Sequence, residues 1–213
     1  MTRRRASLAP RDQATSAFSG ILLRLCDTTP ALAAALVDAE GETVDYAGFI
    51  APYDTRVVAA ELQIIIKLAR RMHLPGSVQQ LTARAQRRTF SLVALSHGYV
   101  LVLVLARWGF RISRRAVAEA VREIEAEAGL TYPSGTRTKF ERWSYVEVKT
   151  ARGNSRRPEA IWVDGAWQNL IILGRFHSSD LDRREVGYRA RLLSGAEFAL
   201  VREPLGKWFA ENL

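Results

Sequence analysis

Residues 89–107 read TFSLVALSHGYVLVLVLAR. Two apolar runs flank Ser96-His97-Gly98, a break whose glycine supplies permissive turn geometry, so the stretch reads as a hairpin. The second run, Tyr99 to Ala106, shows no alternation, because every side chain in it is apolar. A strand of that kind needs cover on both faces, which places it in the middle of a sheet with helices above and below. Eight residues are too few for a membrane-spanning helix, which takes about 20. This strand is the expected centre of a three-layer domain.

Working outward, the pattern predicts a helix from about Ala14 to Cys26, with Phe18, Ile21, Leu22 and Leu25 at helical spacing. Asp27-Thr-Thr-Pro30 stops it, since the residue before proline avoids helical geometry. Ala31–Asp38 and Thr43–Phe49 read as paired strands around Glu40-Gly41. A second helix runs from Arg56 to about Met72 and ends at Leu74-Pro75-Gly76. Residues 77–86 alternate, with Leu81, Ala83 and Ala85 on one side and Gln80, Thr82 and Arg84 on the other, which is a half-buried strand. After the hairpin, Ser113 is placed to cap a third helix whose stripe is Val117, Val121, Ile124 and Ala128, and Gly129 ends it. Residues 1–13, with Arg3, Arg4, Arg5 and Arg11, read as a disordered basic tail.

This order resembles the roadblock domain of dynein light chains and of bacterial gliding-type GTPase regulators. The likeness is carried by Phe18–Leu25, Ala35-Leu-Val-Asp-Ala-Glu-Gly41, the long apolar helix from Val57, Phe90-Ser-Leu-Val-Ala-Leu, Gly98-Tyr-Val-Leu-Val-Leu-Val and the closing amphipathic helix. It covers roughly residues 14–130 and is a match of pattern. It implies an α/β (α+β) fold in which a five-stranded antiparallel sheet lies between helices. It also implies a dimer, and a small Ras-like GTPase as partner, docked near the paired second helices. By position in the motif, Gln63, Lys67, Arg70 and Arg71 are the partner-binding candidates; a merely solvated helix face reads equally well.

The second helix supports the dimer independently. At 100° per residue, Val58, Leu62, Ile65, Ala69 and Met72 share the face expected to lie on the sheet. Val57, Ile64 and Leu68 form a second shoulder, with Glu61 between the groups. The apolar arc comes to roughly 220°, about twice what one sheet face needs. A second copy could cover the shoulder, since a two-fold contact needs only one self-complementary surface. So could the C-terminal region of the same chain. The dimer reading assigns Val57, Glu61, Ile64, Leu68, Val78, Gln80 and Thr82 to the interface, the last three on a strand at the sheet edge.

Residues 131–138, around Tyr132-Pro-Ser-Gly135, read as a linker by composition. From 139 to 213 the periodicity alternates, predicting strands at Trp143–Thr150, Glu159–Val163, Trp167–Leu173, Val186–Leu193 and Glu197–Arg202. Asp164-Gly165 and Ser194-Gly195 are their hairpin turns. Short, frequent strands predict a small antiparallel sheet or partly open barrel. A final short strand or helical turn follows from Gly206. This part resembles small bacterial β-domains to which no function attaches. Trp143, Trp162, Trp167 and Trp208, interspersed with Arg157, Arg175, Arg189, Arg191 and Lys207, fit either a hydrophobic core or stacking platforms for nucleic acid; core is the favoured reading.

The formal charge of +9 is spread over both parts, +5 for residues 1–130 and +4 for 131–213. It permits attraction to nucleic acid, anionic lipid or an acidic protein and selects none of them. A single cysteine and the lack of an apolar segment after Met1-Thr-Arg-Arg-Arg point to a reducing cytoplasm. Catalytic groups are sparse. Cys26 has no activating neighbour in the pattern, and His73, His97 and His177 are isolated. Asp180-Leu-Asp182 lacks the further ligands of a calcium loop. Neither nucleotide cradle motif occurs. No enzyme activity, cofactor or metal is expected. The chain reads as an adaptor, and its alternative is a dimerisation scaffold whose β-domain binds protein or nucleic acid.

Overall fold

A computed structural model describes residues 10–72, 78–107, 109, 112–130, 142–178 and 181–211. The expected linker at 131–138, the first nine residues of the expected tail, His73 and Asp180 lie outside the described residues. The chain divides into two units. One holds the described residues of 10–112 and 120–130, and the other holds 113–119 and the described residues from 142 onward.

In the first unit, five antiparallel strands form one sheet in the order β2-β1-β5-β4-β3. The strands are β1 (Ala31–Val37), β2 (Thr43–Gly48), β3 (Gln80–Arg84), β4 (Arg88–Ala94) and β5 (Val100–Ala106). The unalternating strand β5 is central, as its composition requires, and its residues Val100 to Leu105 are all buried. Alternation divides it between two covers. Val100 and Val102 join Ala35, Val37 and Leu92 beneath the helix α2 (Pro52–Arg71). Leu101, Leu103 and Leu105 point to the other face. On β2, Asp45 turns toward the helix α1 (Ala17–Thr28), while its neighbour Tyr46 joins the cluster under α2. The hairpin between β4 and β5 turns through a short 3-10 segment, Ser96–Gly98, with His97 and Gly98 both at positive φ. At the end of β2, Gly48 is obligatory: at φ 134 a Cβ would stand 2.5 Å from the Leu32 carbonyl oxygen and the Ala33 Cα.

Residues 10–13 depart from the expected free tail. The Arg11 guanidinium donates to Asp45 at 2.5 Å and to the Tyr46 carbonyl. Asp12 accepts from the Tyr46 hydroxyl at 2.5 Å and from Arg56 at 2.7 Å. Composition suggested nothing to bury there, but a buried carboxylate on a distant strand recruits the arginine. Asp45 is fully buried and gathers donors from several elements: the hydroxyl of Ser19 at 2.5 Å, that of Ser16, Arg11, and its neighbour's amide at 2.7 Å. Burial pushes its carboxyl up, but these donors outweigh burial and hold it below the ordinary carboxylate range. Ser16 also caps α1 through a capping box with Ser19.

The helix α3 (Arg114–Glu127) starts on the side-chain oxygen of Ser113, which accepts from the Ala116 amide at 3.0 Å. It ends at Gly129, at φ 64, with the Leu130 amide reaching back to Glu125.

In the second unit, seven antiparallel strands run in the order β6-β12-β11-β10-β9-β8-β7. They are β6 (Trp143–Val146), β7 (Val148–Ala151), β8 (Asn154–Val163), β9 (Ala166–Phe176), β10 (Val186–Leu192), β11 (Glu197–Arg202) and β12 (Trp208–Glu211). The expected single strand Trp143–Thr150 is two strands, parted at Glu147. Its halves are the two edges of the sheet, so the sheet must curl until those edges nearly meet. Asp164-Gly165 turns the long β8–β9 hairpin with positive φ at both positions, the geometry that matches strand twist. Ile161, Tyr188, Ala190, Leu200 and Trp208 are among the side chains that fill the interior.

One buried cluster ties the start of α3 into this unit. The Arg115 guanidinium donates to Glu185 at 2.9 and 3.1 Å and to Glu203 at 3.0 Å, and lies 4.9 Å from the ring centre of Trp143. Glu119 accepts from the Tyr145 amide at 3.0 Å. Burial pushes the Glu203 carboxyl up despite Ser113 and Arg115 beside it. No helix among the described residues is long and apolar enough to cross a membrane.

Candidate functional site

The helix α2 begins at Pro52, a residue suited to the first helical turn, which lengthens it beyond the start expected at Arg56. Its buried side chains are Thr55, Ala59, Leu62, Gln63 and Ile66. The expected sheet-facing set is therefore corrected: Leu62 holds its place and Val58 is partly buried, but Ile65 and Met72 are exposed. The helix is turned toward Thr55, Ala59 and Ile66 because Gln63, a polar residue at 1% exposure, finds a buried partner. Its amide donates to the Asp38 carbonyl in the β1–β2 turn. That turn is built on Asp38, whose carboxylate accepts the amides of Glu40, Gly41 and Glu42 at 2.9–3.0 Å.

The four partner-binding candidates separate accordingly. Gln63 is buried, and Lys67 donates its ammonium to the Ala39 carbonyl of the same turn. Both brace the β1–β2 hairpin, so Gln63 does not belong to an exposed flank. Arg70 and Arg71 are exposed in the last turn of the helix, where cations complement its dipole.

The opposite face is apolar and wet. Val57 is 38% exposed, Ile64 58% and Leu68 57%, and Tyr53, Ile65 and Met72 extend the stripe along the helix. At 100° per residue its centre lies roughly 150° from that of the sheet-facing set. Glu61 and Asp54, both exposed, are the carboxylates within it. Tyr53, Ile65 and Met72 lie outside the shoulder that the spacing predicts; the helix start at Pro52 and the burial of Gln63 bring them to this surface. The strand β3 is a sheet edge with β4 as its one neighbour, and Gln80 and Thr82 on it are exposed. Val78 lies before the strand, which is shorter at both ends than the pattern suggested.

The face offers little chemistry. The Cys26 thiol is buried beneath α1 and pushed up to about 12, chiefly by that burial. His97 occupies the β4–β5 turn. No group of three or more His, Cys, Asp or Glu side chains among the described residues could hold a metal ion. What the arrangement can do is cover and be covered.

The first unit is thus an antiparallel five-stranded sheet between α1 and α2, with an apolar outer face on the longer helix. It is similar to solved roadblock structures. Myxococcus xanthus MglB matches at 16% identity with a TM-score of 0.47, over 56% of this chain and all of that one. A Roadblock/LC7 domain from Streptomyces avermitilis matches at 16% identity and a TM-score of 0.40, over 52% of this chain and 91% of its own. The gliding protein MglB of Thermus thermophilus matches at 16% identity and 0.44, over 55% and 96%. No family model and no curated protein matches.

Proposed function

We propose that this chain is a non-enzymatic adaptor that pairs with a second copy through the outer face of α2. In this reading it docks a small Ras-like GTPase beside the paired helices and modulates its GTP hydrolysis or its localisation in the cytoplasm. The observation that carries the pairing is the wet stripe from Tyr53 to Met72. Large aliphatic side chains are each worth about 1.5–3 kcal/mol when buried, and monomers seldom leave a contiguous set of them in water. A second copy brings the same stripe, so one surface serves both partners. The edge strand β3, with Gln80 and Thr82, would pair with its mate across the same axis.

The partner class follows from the roadblock resemblance of residues 14–130. With Gln63 and Lys67 engaged by the β1–β2 turn, Arg70 and Arg71 are left as the cationic part of the docking flank. The test is to mix the protein with small GTPases of the same genome and to measure co-elution and single-turnover GTP hydrolysis. A complex with an altered hydrolysis rate is expected. Separate elution with an unchanged rate would remove the GTPase from the proposal.

A further inference from the structure

The four tryptophans of the second unit fall into two pairs. Trp143 and Trp208 are buried, as a core reading requires, but Trp162 is 42% exposed and Trp167 37%. These two stand opposite each other across the β8–β9 hairpin, ring centres 5.4 Å apart and edge to face. The Lys149 ammonium lies 4.2 Å from the Trp167 ring centre.

The register gathers a surface around them. Lys149 pairs with Ala160, Ala160 with Asn169, and Ile171 with Arg191. Alternation then puts Lys149, Trp162, Trp167, Ile171, Arg189 and Arg191 on the outer face, opposite Ile161, Leu170, Ile172 and Ala190 of the interior. The strands β7 to β10 contain six cations, Lys149, Arg156, Arg157, Arg175, Arg189 and Arg191, against one carboxylate, Glu159. Among the described residues, Arg191 alone of the six has a carboxylate within 4 Å, Glu197 at 3.8 Å.

Trp167 also lines a cavity of about 440 Å³ at the β6–β7 joint, with Tyr145, Ser155, Arg202 and Lys207, and with Glu147 as its carboxylate. Within it the Lys207 ammonium is 5.4 Å from the Tyr145 ring centre, and the Arg202 Nε is buried without a hydrogen-bond partner among the described residues. The volume falls in the range of small-ligand sites, roughly 300–1,000 Å³.

The geometry points to a binding face for single-stranded nucleic acid on this β unit. Unpaired bases stack on the exposed indoles, backbone phosphates meet Lys149, Arg189 and Arg191, and one nucleotide enters the cavity toward Arg202 and Lys207. Solvent-exposed indoles combined with cations in excess are what sequence-tolerant single-strand binding uses. An acidic peptide would satisfy the cations but has no flat partner for the indoles. A duplex keeps its bases stacked inward and leaves them equally unmatched.

The test uses the full chain and fluorescein-labelled oligo-dT and oligo-rU, with anisotropy followed against salt. Binding whose logarithm falls linearly with that of salt is expected. Trp162→Ala with Trp167→Ala should weaken it about tenfold or more at fixed salt while leaving the slope unchanged. Lys149→Glu with Arg189→Glu should flatten the slope. Circular dichroism checks that each variant folds; if the tryptophan variant does not, the charge variant decides. Absence of binding at low salt, parental affinity in the folded variants, or equal affinity for duplex DNA or a polyglutamate peptide would each overturn the proposal.

Discussion

Ile66 and Leu68 stand two residues apart on α2 and face opposite ways: Ile66 is fully buried against the sheet, whereas Leu68 is more than half exposed. One helix thus carries two apolar faces, and one sheet satisfies only one of them. The proposed pairing rests on this relationship.

Ile64→Asp should separate the pair, because it puts a carboxylate in the middle of the outer stripe. The loss of one buried aliphatic side chain alone, about 2–3 kcal/mol, raises the dissociation constant by roughly 30- to 150-fold. Sedimentation velocity at micromolar concentration should show a dimer for the parent and a monomer for the variant. An unchanged mass would show that this face is not the interface.

Asp45 ties α1, β2 and residues 11–19 together. Its folded carboxyl is held below the ordinary value, so the unfolded chain binds the proton more readily. The associated stability is complete above the ordinary carboxylate value and is lost as pH falls through the depressed one. Asp45→Asn should abolish that part of the acid sensitivity and lower stability at neutral pH by about 2–3 kcal/mol. Thermal melts from pH 7 to pH 3, with parent and variant compared, measure both.

Arg115 holds two carboxylates at once, so Arg115→Met leaves Glu185 and Glu203 facing each other without a cation. The expected cost is about 3–5 kcal/mol, confined to the second unit. Urea unfolding followed by tryptophan emission should report it directly, since Trp143 lies beside the guanidinium. Glu203→Gln should cost less. Burial raises the Glu203 carboxyl, so the folded state takes up its proton first, and that group's contribution improves as pH falls through its raised value toward the ordinary carboxylate one.

Cys26 should be silent toward thiol reagents in the folded protein. Burial removes it from solvent and its thiol is pushed up to about 12, so almost no thiolate exists at pH 8. Alkylation by iodoacetamide should proceed only with unfolding, and mass spectrometry at increasing urea would follow it.

Much of the fold was legible from local pattern. The unbroken run Val100–Ala106 could only be a strand covered twice, and Asp164-Gly165 and Ser194-Gly195 could only be tight turns. The apolar excess of α2 was equally visible, because it is a matter of counting. Its orientation was not. Thr55 and Gln63 look like solvent-facing residues until Asp38 supplies a carbonyl for the Gln63 amide, and that partner comes from a turn 25 positions away. The same holds for Arg11, which composition assigns to a tail and Asp45 draws to β2.

The sequence alone determined the elements, the central strand, the hairpins and the presence of more apolar helix surface than one sheet can cover, since each depends on neighbours within a few residues. Tertiary structure decided which helix face turns inward, which tryptophans reach solvent and which charges are buried. Those outcomes depend on polar partners meeting across long separations, where burial is tolerated only when a hydrogen bond or counter-charge replaces water.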